Sequence, residues 1–420
     1  MRFLVAWQDH ADNAAREERA TVADLRIFLS EQNVTLHLES QASADHITIA
    51  LYGLAEGLAH DWWRIFGARD RAVSLMDYRT GYAVPDLRMS FDGVIFQVEA
   101  HQRTYRNPDI RFWAGPTEIM NRLEAEAQLG GFVDKILSRL NESDIRTSNA
   151  AARWARVQAS RNDAEEAAFC EAAGALGLDP YQIDDRAAHS IENASTLFEG
   201  EPLTEFLAGA QGVDESRLLE WVEAVEKRPR YQARIAELRD IVVQVAQSAV
   251  AKPAEASWSL GYRRARALRR ALNLQIGKRF SSYRSLAERL GANKSYKLAA
   301  SVDGIRALRS DHEDGVYLHM RMHGPSANAR DSQLFSFTRA VGDVVCFPDE
   351  GRAPINGLNA AYRQAAGRAL AAEFLAPIDE IRSMRESGRD VVSMAEELHV
   401  STTLIERQLE NASRIDEACA

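Results

Sequence analysis

Between Asp331 and Pro377 the sequence spells two helices joined by a polar connection, and whatever this chain folds into has to accommodate that pair. The spacing of Leu334, Phe337, Val341, Val344 and Val345 predicts a first helix over 334–345. A second, Ala365 to Leu375, has to end before Pro377, because a helix interior does not tolerate proline. Gly351, Pro354 and Gly357 fall in the connection. Two helices linked in this way make a common scaffold for a site.

The wording of both helices resembles the ImmA/IrrE-like zinc metallopeptidase family, whose first helix carries an R-F-T-L-A-H-E-x-G-H phrase and whose second carries E-A-x-x-F-A-A-x-L-L-x-P. Leu334-Phe335-Ser336-Phe337-Thr338 matches the lead-in and Leu370-Ala371-Ala372-Glu373-Phe374-Leu375-Ala376-Pro377 the close. An H-E-x-x-H helix works because two histidines one turn apart face a zinc ion while the glutamate takes a proton from the metal-bound water. Here those five positions read Arg339, Ala340, Val341, Gly342 and Asp343, and the position of the family's acidic third ligand falls on Ala366. Arginine offers a metal no lone pair and alanine takes no proton. The resemblance therefore implies the scaffold without catalytic residues, metal ligands or cofactor. Arg339, Ala340, Asp343 and Ala366 become a degenerate pocket, in which Arg339 and Asp343, four apart on one helix face, are expected to pair. Active members of the group in bacteria and mobile elements cut repressors, so a member without ligands implies a regulatory or binding role. A protein or peptide partner in the vacant cleft is the corresponding expectation.

The length of 420 residues allows two or three domains, and 46% hydrophobic with 27% charged residues is the balance of an ordinary soluble globular protein. No window reaches the ~18 apolar residues a membrane span needs, and Met1 to Trp7 is too short an apolar run for a signal peptide. The expectation is a cytoplasmic protein without membrane contact. Cys170, Cys346 and Cys419 are odd in number and far apart, which suits a reducing compartment and gives no ligand spacing.

Three regions are expected: an α+β domain over 1–145, a helical middle over 146–255, and an ImmA/IrrE-like domain over 256–412, giving an α+β, predominantly helical chain. In the first region Leu25, Ile27 and Leu29 alternate, as do Val34, Leu36 and Leu38, around Glu31-Gln32-Asn33, a hairpin signal. Leu51 to Phe66 reads as one helical stripe. Leu87–Phe91 and Val94–Val98 flank Asp92-Gly93, the strongest short turn signal. A long helix is expected from near Thr117. Trp7, Trp62, Trp63 and Trp113 read as core or interface aromatics. In the middle, Asn162–Leu176 reads as an Asn-capped helix, with further helices at Ser216–Val225 and Ile235–Ala246. Lys252-Pro253-Ala254-Glu255 reads as a linker.

After that linker the charge balance inverts. Residues 261–309 hold thirteen bases against Glu288 and Asp303, a surplus of 13 − 2 = 11 in a chain whose net charge is −10. Each Lys or Arg that meets a phosphate releases a counterion, so Arg263, Arg264, Arg266, Arg269, Arg270, Lys278, Arg279, Arg284, Lys294 and Lys297 are candidates for contacting DNA. The alternatives are pairing with acidic surface of the same chain or of a neighbouring subunit in a homo-oligomer, or another anion. Leu286, Ala287 and Leu290 before Gly291 resemble the first half of a helix-turn-helix, and Met394 to Leu409 resembles another, read as structural helices. His319 and His323, with His312 or Asp343, are the residues from which a metal-dependent peptidase with a rearranged site would have to be built. A strand through Val316-Tyr317-Leu318 and a turn at Gly324-Pro325 argue against a helix there. Cys346 reads as a buried thiol.

Overall fold

The computed structural model describes residues 1–8, 15–106, 109–228, 232–250, 252, 255–275, 277–293, 296–324 and 329–419, with side chains to 413. Lys294, Pro253, Ala254 and Pro325, and the Cys419 side chain, lie outside the described residues. The chain is α+β and predominantly helical, with small antiparallel sheets. It forms two compact units, Met1–Ile191 and Glu192–Ala420.

In the first unit three antiparallel sheets and their helices enclose a core of Leu25, Ile27, Trp62, Phe66, Phe96 and Phe132, among others. Trp62 and Trp63 are core residues, whereas Trp113 is largely exposed. The first hairpin turns tightly at Ser30-Glu31, both with positive φ, as a two-residue turn requires. Its ladder stops at Asn33, because Thr35 folds back onto Asn33 and Ile27, and His37–Glu39 joins a different sheet. The second hairpin pairs Asp86–Phe91 with Phe96–His101. Asp92 Oδ1 accepts from the N–H of Val94 and Ile95, which widens the turn and starts the second strand at Phe96 instead of Val94.

Other expectations are corrected. The stripe from Leu51 to Phe66 is two helices, Tyr52–His60 and Trp62–Gly67, parted at Asp61, which accepts from the Tyr78 hydroxyl. The long helix starts at Arg122 with a capping box of Asn121 and Glu124, while Thr117–Met120 is a strand on the sheet edge. Asp163, not Asn162, caps the Ala164–Ala175 helix, accepting from two free N–H groups of its first turn.

The second unit is built on a four-stranded antiparallel sheet ordered Ala233–Ile235, Gly315–Met320, Ile305–His312, Arg352–Asn356. A central helix, Ala329–Cys346, packs against a companion helix, Tyr362–Leu375, and the Ser257–Ala271 helix lies along the companion. That last contact needs Gly261: a Cβ there would sit 2.5 Å from the Ala366 carbonyl oxygen. The central helix is buried on almost every side from Gln333 to Cys346, more than its one-faced pattern implies. Each polar side chain on it therefore needs a partner inside the protein.

Candidate functional site

Those partners define the site. Gln333 donates to the Arg321 carbonyl, Ser336 pairs with His323 at 3.0 Å, and Thr338 donates back to the Leu334 carbonyl. Arg339, only 4% exposed, donates from Nη2 to the Asn356 carbonyl at 2.8 Å and to Gln364 Oε1 at 3.0 Å. Gln364, on the companion helix, donates in turn to Pro354 O and to Glu205 Oε2, each at 2.8 Å. One turn along, Asp343 accepts from Arg363 Nη2 at 2.7 Å and from Arg309 Nη1 at 3.2 Å.

Arg339 and Asp343 are thus not a pair, and the expectation that they would be is wrong. Spacing on one helix face brings two side chains within reach only when nothing better competes. Here Arg309 from the sheet and Arg363 from the companion helix compensate Asp343, while Arg339 is held by a carbonyl and an amide. Burial works against charge on Arg363, but Asp343 beside it more than offsets that and holds it protonated. Ala340 and Ala366 are both fully buried, Ala366 at the crossing with the Ser257–Ala271 helix.

The residues of a rearranged metal site are not brought together. His319 stands in the central sheet, 1% exposed, with neither ring nitrogen partnered; burial, then His312 and Arg352, push it down to about 4. Burial and the charges of Arg306 and Arg321 do the same to His323. His312 packs its ring on Tyr317, and Asp343 is saturated by two arginines. Among the described residues no group of three His, Cys, Asp or Glu side chains is placed to hold a metal ion. Burial pushes the Cys346 thiol up to about 12, so it is no nucleophile at neutral pH.

Most of the basic segment is spent inside the second unit. Arg263 pairs with Glu255, Arg266 with Glu373, and Arg279 with Glu380 and Glu397. Arg264 is buried, and Arg269 donates to the carbonyls of Phe374 and Gln275. Arg270, Lys278, Arg284 and Lys297 are exposed; Arg284 lies against Tyr283. The phrase around Leu286 yields one helix, Tyr283–Arg289, and no second helix follows it among the described residues before the Ile305–His312 strand. The terminal phrase does form two helices, Val391–Leu398 and Thr402–Cys419.

Beside the central helix lies a cleft of about 440 Å³, within the range of small-molecule sites. Arg339 reaches it from within, half-buried Arg306 and Arg368 line it, and exposed Arg407 stands at its rim. Trp258 and Phe335 supply aromatic surface, and Ser401 and Thr403 bring the first turn of the Thr402–Cys419 helix. Arg306, Arg368 and Arg407 carry no residue type that a search for catalytic motifs selects, and they are contributed by three different elements. Only the excess of arginine hinted at them. Comparison of the chain with family models, with characterised proteins and with solved structures finds no match, so the function has to be argued from this geometry.

Proposed function

We propose that the protein is a regulatory binding protein, built on a scaffold like that of the ImmA/IrrE-like peptidases, that holds a ligand or partner in its cleft and does not cut it. A bacterial or mobile-element regulatory or defence system, acting on DNA or a repressor-type partner, is the setting this reading suggests. One observation carries it: at the five H-E-x-x-H positions the two ionic residues, Arg339 and Asp343, are both engaged by internal partners, and Ala340 has no proton-accepting group. Zinc-activated water chemistry needs open ligands and a base, and neither is supplied there. Purified protein is expected to carry far less than one zinc per chain by mass spectrometry of metals, and to leave a denatured protein substrate uncut with zinc added. One tightly held zinc per chain, or zinc-dependent cleavage, would favour the competing reading of a peptidase with a rearranged site.

A DNA partner, on this reading, finds Arg270, Lys278, Arg284 and Lys297 exposed among the described candidates, since Arg263, Arg266 and Arg279 already serve carboxylates. With about 0.9 per phosphate contacted, these four contacts give a log-log salt slope of about −3.6. Arg266→Ala is then expected to lower the melting temperature and leave that slope alone, whereas Lys297→Ala reduces the slope by about one. A slope much steeper than −3.6 in a salt titration of duplex binding would show that the paired arginines are released to the DNA.

A further inference from the structure

We infer that the cleft beside the central helix is a binding site for a phosphate-bearing small molecule, held by the guanidinium groups of Arg306, Arg339, Arg368 and Arg407. The inference rests on reading the cleft as a place that binds, and it names the chemistry of what is bound.

Among the described residues the cleft lining holds four arginines against a single acid, Asp331, a surplus of 4 − 1 = 3 positive charges, because His323 is pushed down to about 4 and is neutral near pH 7. None of the four arginines is in an ion pair with a described residue. Arg368 donates to the carbonyls of Leu358 and Asn359, and Arg339 to a carbonyl and an amide. Arg339 keeps its Nε without a partner among the described residues, although the side chain is almost wholly buried. A buried, charged donor left open is costly; Arg309 and Arg363, as buried in this unit, have carboxylates, whereas Arg264, 5% exposed, has none and lies outside the cleft. Neighbouring arginines add to the cost: burial first, then Arg368 and Arg306, work against charge on Arg339, and burial first, with Arg407 and Arg306 adding to it and Glu205 opposing, works against charge on Arg368. The buried carboxyl that Gln364 links to Arg339, that of Glu205, is pushed up to about 8 by burial, so near neutral pH it offers Arg339 little counter-charge. An anion in the cleft supplies what the protein withholds.

Phosphate is favoured over carboxylate by geometry. Guanidinium groups arranged from the floor to the rim can be served together by the several oxygens of a phosphate or diphosphate, while a carboxylate offers two oxygens in one plane. The first turn of the Thr402–Cys419 helix adds its positive dipole end at the same cleft. Trp258, 53% exposed, and Phe335 leave apolar faces for the remainder of the ligand.

The test is calorimetric titration of the full chain with ADP, inorganic pyrophosphate, adenosine and citrate. ADP and pyrophosphate are expected to bind saturably below about 1 mM and to compete, with adenosine and citrate at least ten-fold weaker. Arg368→Gln and Arg407→Gln, which change side chains at the wall and rim, are each expected to weaken pyrophosphate about ten-fold or more, as loss of a charge-assisted bond should. Absence of binding by both phosphates, adenosine or citrate binding as tightly as ADP, or pyrophosphate affinity indifferent to both substitutions would overturn the inference. Arg339→Lys serves as a third probe: it keeps a charge at the floor but not the fork, and unchanged affinity there would also count against it. Zinc content and proteolysis, which decide the reading of the scaffold, are unaffected by these results, so either conclusion can fall alone.

Discussion

Asp343→Asn lowers the free energy of unfolding by about 3–5 kcal/mol, a large share of the whole stability of a domain of this size. Asp343 is 2% exposed and accepts from two guanidinium groups, those of Arg363 and Arg309. The two depend on it unequally. Arg309 also has Asp311 at 2.7 Å and the Phe347 carbonyl at 2.7 Å, whereas Arg363 has, besides Asp343, only Glu350 at 3.8 Å and the ring of Phe347. The amide therefore leaves Arg363 buried with only the more distant, partly exposed Glu350 carboxylate as counter-ion, which is the expensive half of breaking a buried pair. Adding Arg363→Met is expected to return part of the loss, because removing the stranded charge costs less than keeping it. Urea unfolding followed by circular dichroism reads both variants as midpoint shifts at constant slope. A midpoint within about 0.3 M of the wild type for Asp343→Asn would show that the cluster is not the keystone its burial implies.

What the sequence made legible follows from how local each signal is. The two-helix scaffold was visible because its apolar spacing and the proline stop at Pro377 act within a few residues: the helices run Ala329–Cys346 and Tyr362–Leu375, longer than expected at their starts. The Asp92-Gly93 turn was visible for the same reason, and its exact width was not, because the side-chain bonds of Asp92 set it. The partners of Arg339 and Asp343 were not legible. They lie 25, 34 and 20 residues away, at Gln364, Arg309 and Arg363, and a helix buried on all sides chooses its partners by tertiary packing. Counting charge found the basic segment but not its destination. Glu255, Glu373, Glu380 and Glu397, the acids that absorb it, all lie outside residues 261–309. The contacts expected of Arg339 and Asp343 were thus misread, while the other arginines of the cationic cleft, Arg306, Arg368 and Arg407, come from three separate elements that no local signature joins.

Glu205 was equally silent in the sequence, and it supports the second large effect: stability that falls as pH rises above neutrality. Glu205 is fully buried in the Gly200–Ala210 helix, where it accepts from Gln364 Nε2 at 2.8 Å. Burial pushes its carboxyl from 4.5 up to about 8, with Glu201 and Asp343 adding to the rise and Arg363 and the Gln364 bond opposing it. The unfolded chain releases this proton near 4.5 and the folded chain keeps it to about 8. Between those values the unfolded state binds fewer protons, so the free energy of unfolding falls with rising pH, by about 1.4 kcal/mol per unit at full effect. His319 and His323 act with the opposite sign: both are pushed from 6.5 down to about 4, so the stability they confer is complete above 6.5 and is lost as pH falls toward 4. The window from pH 6.5 to 8 separates the two effects. There the wild type is expected to lose about 1–2 kcal/mol, and Glu205→Gln, which keeps an oxygen for Gln364 and has no proton to lose, is expected to be flat and more stable at pH 8. Parallel profiles for the two proteins across that window, measured by denaturant unfolding at fixed ionic strength, would mean that Glu205 is ionised in the folded chain and that Arg339 has its counter-charge from within.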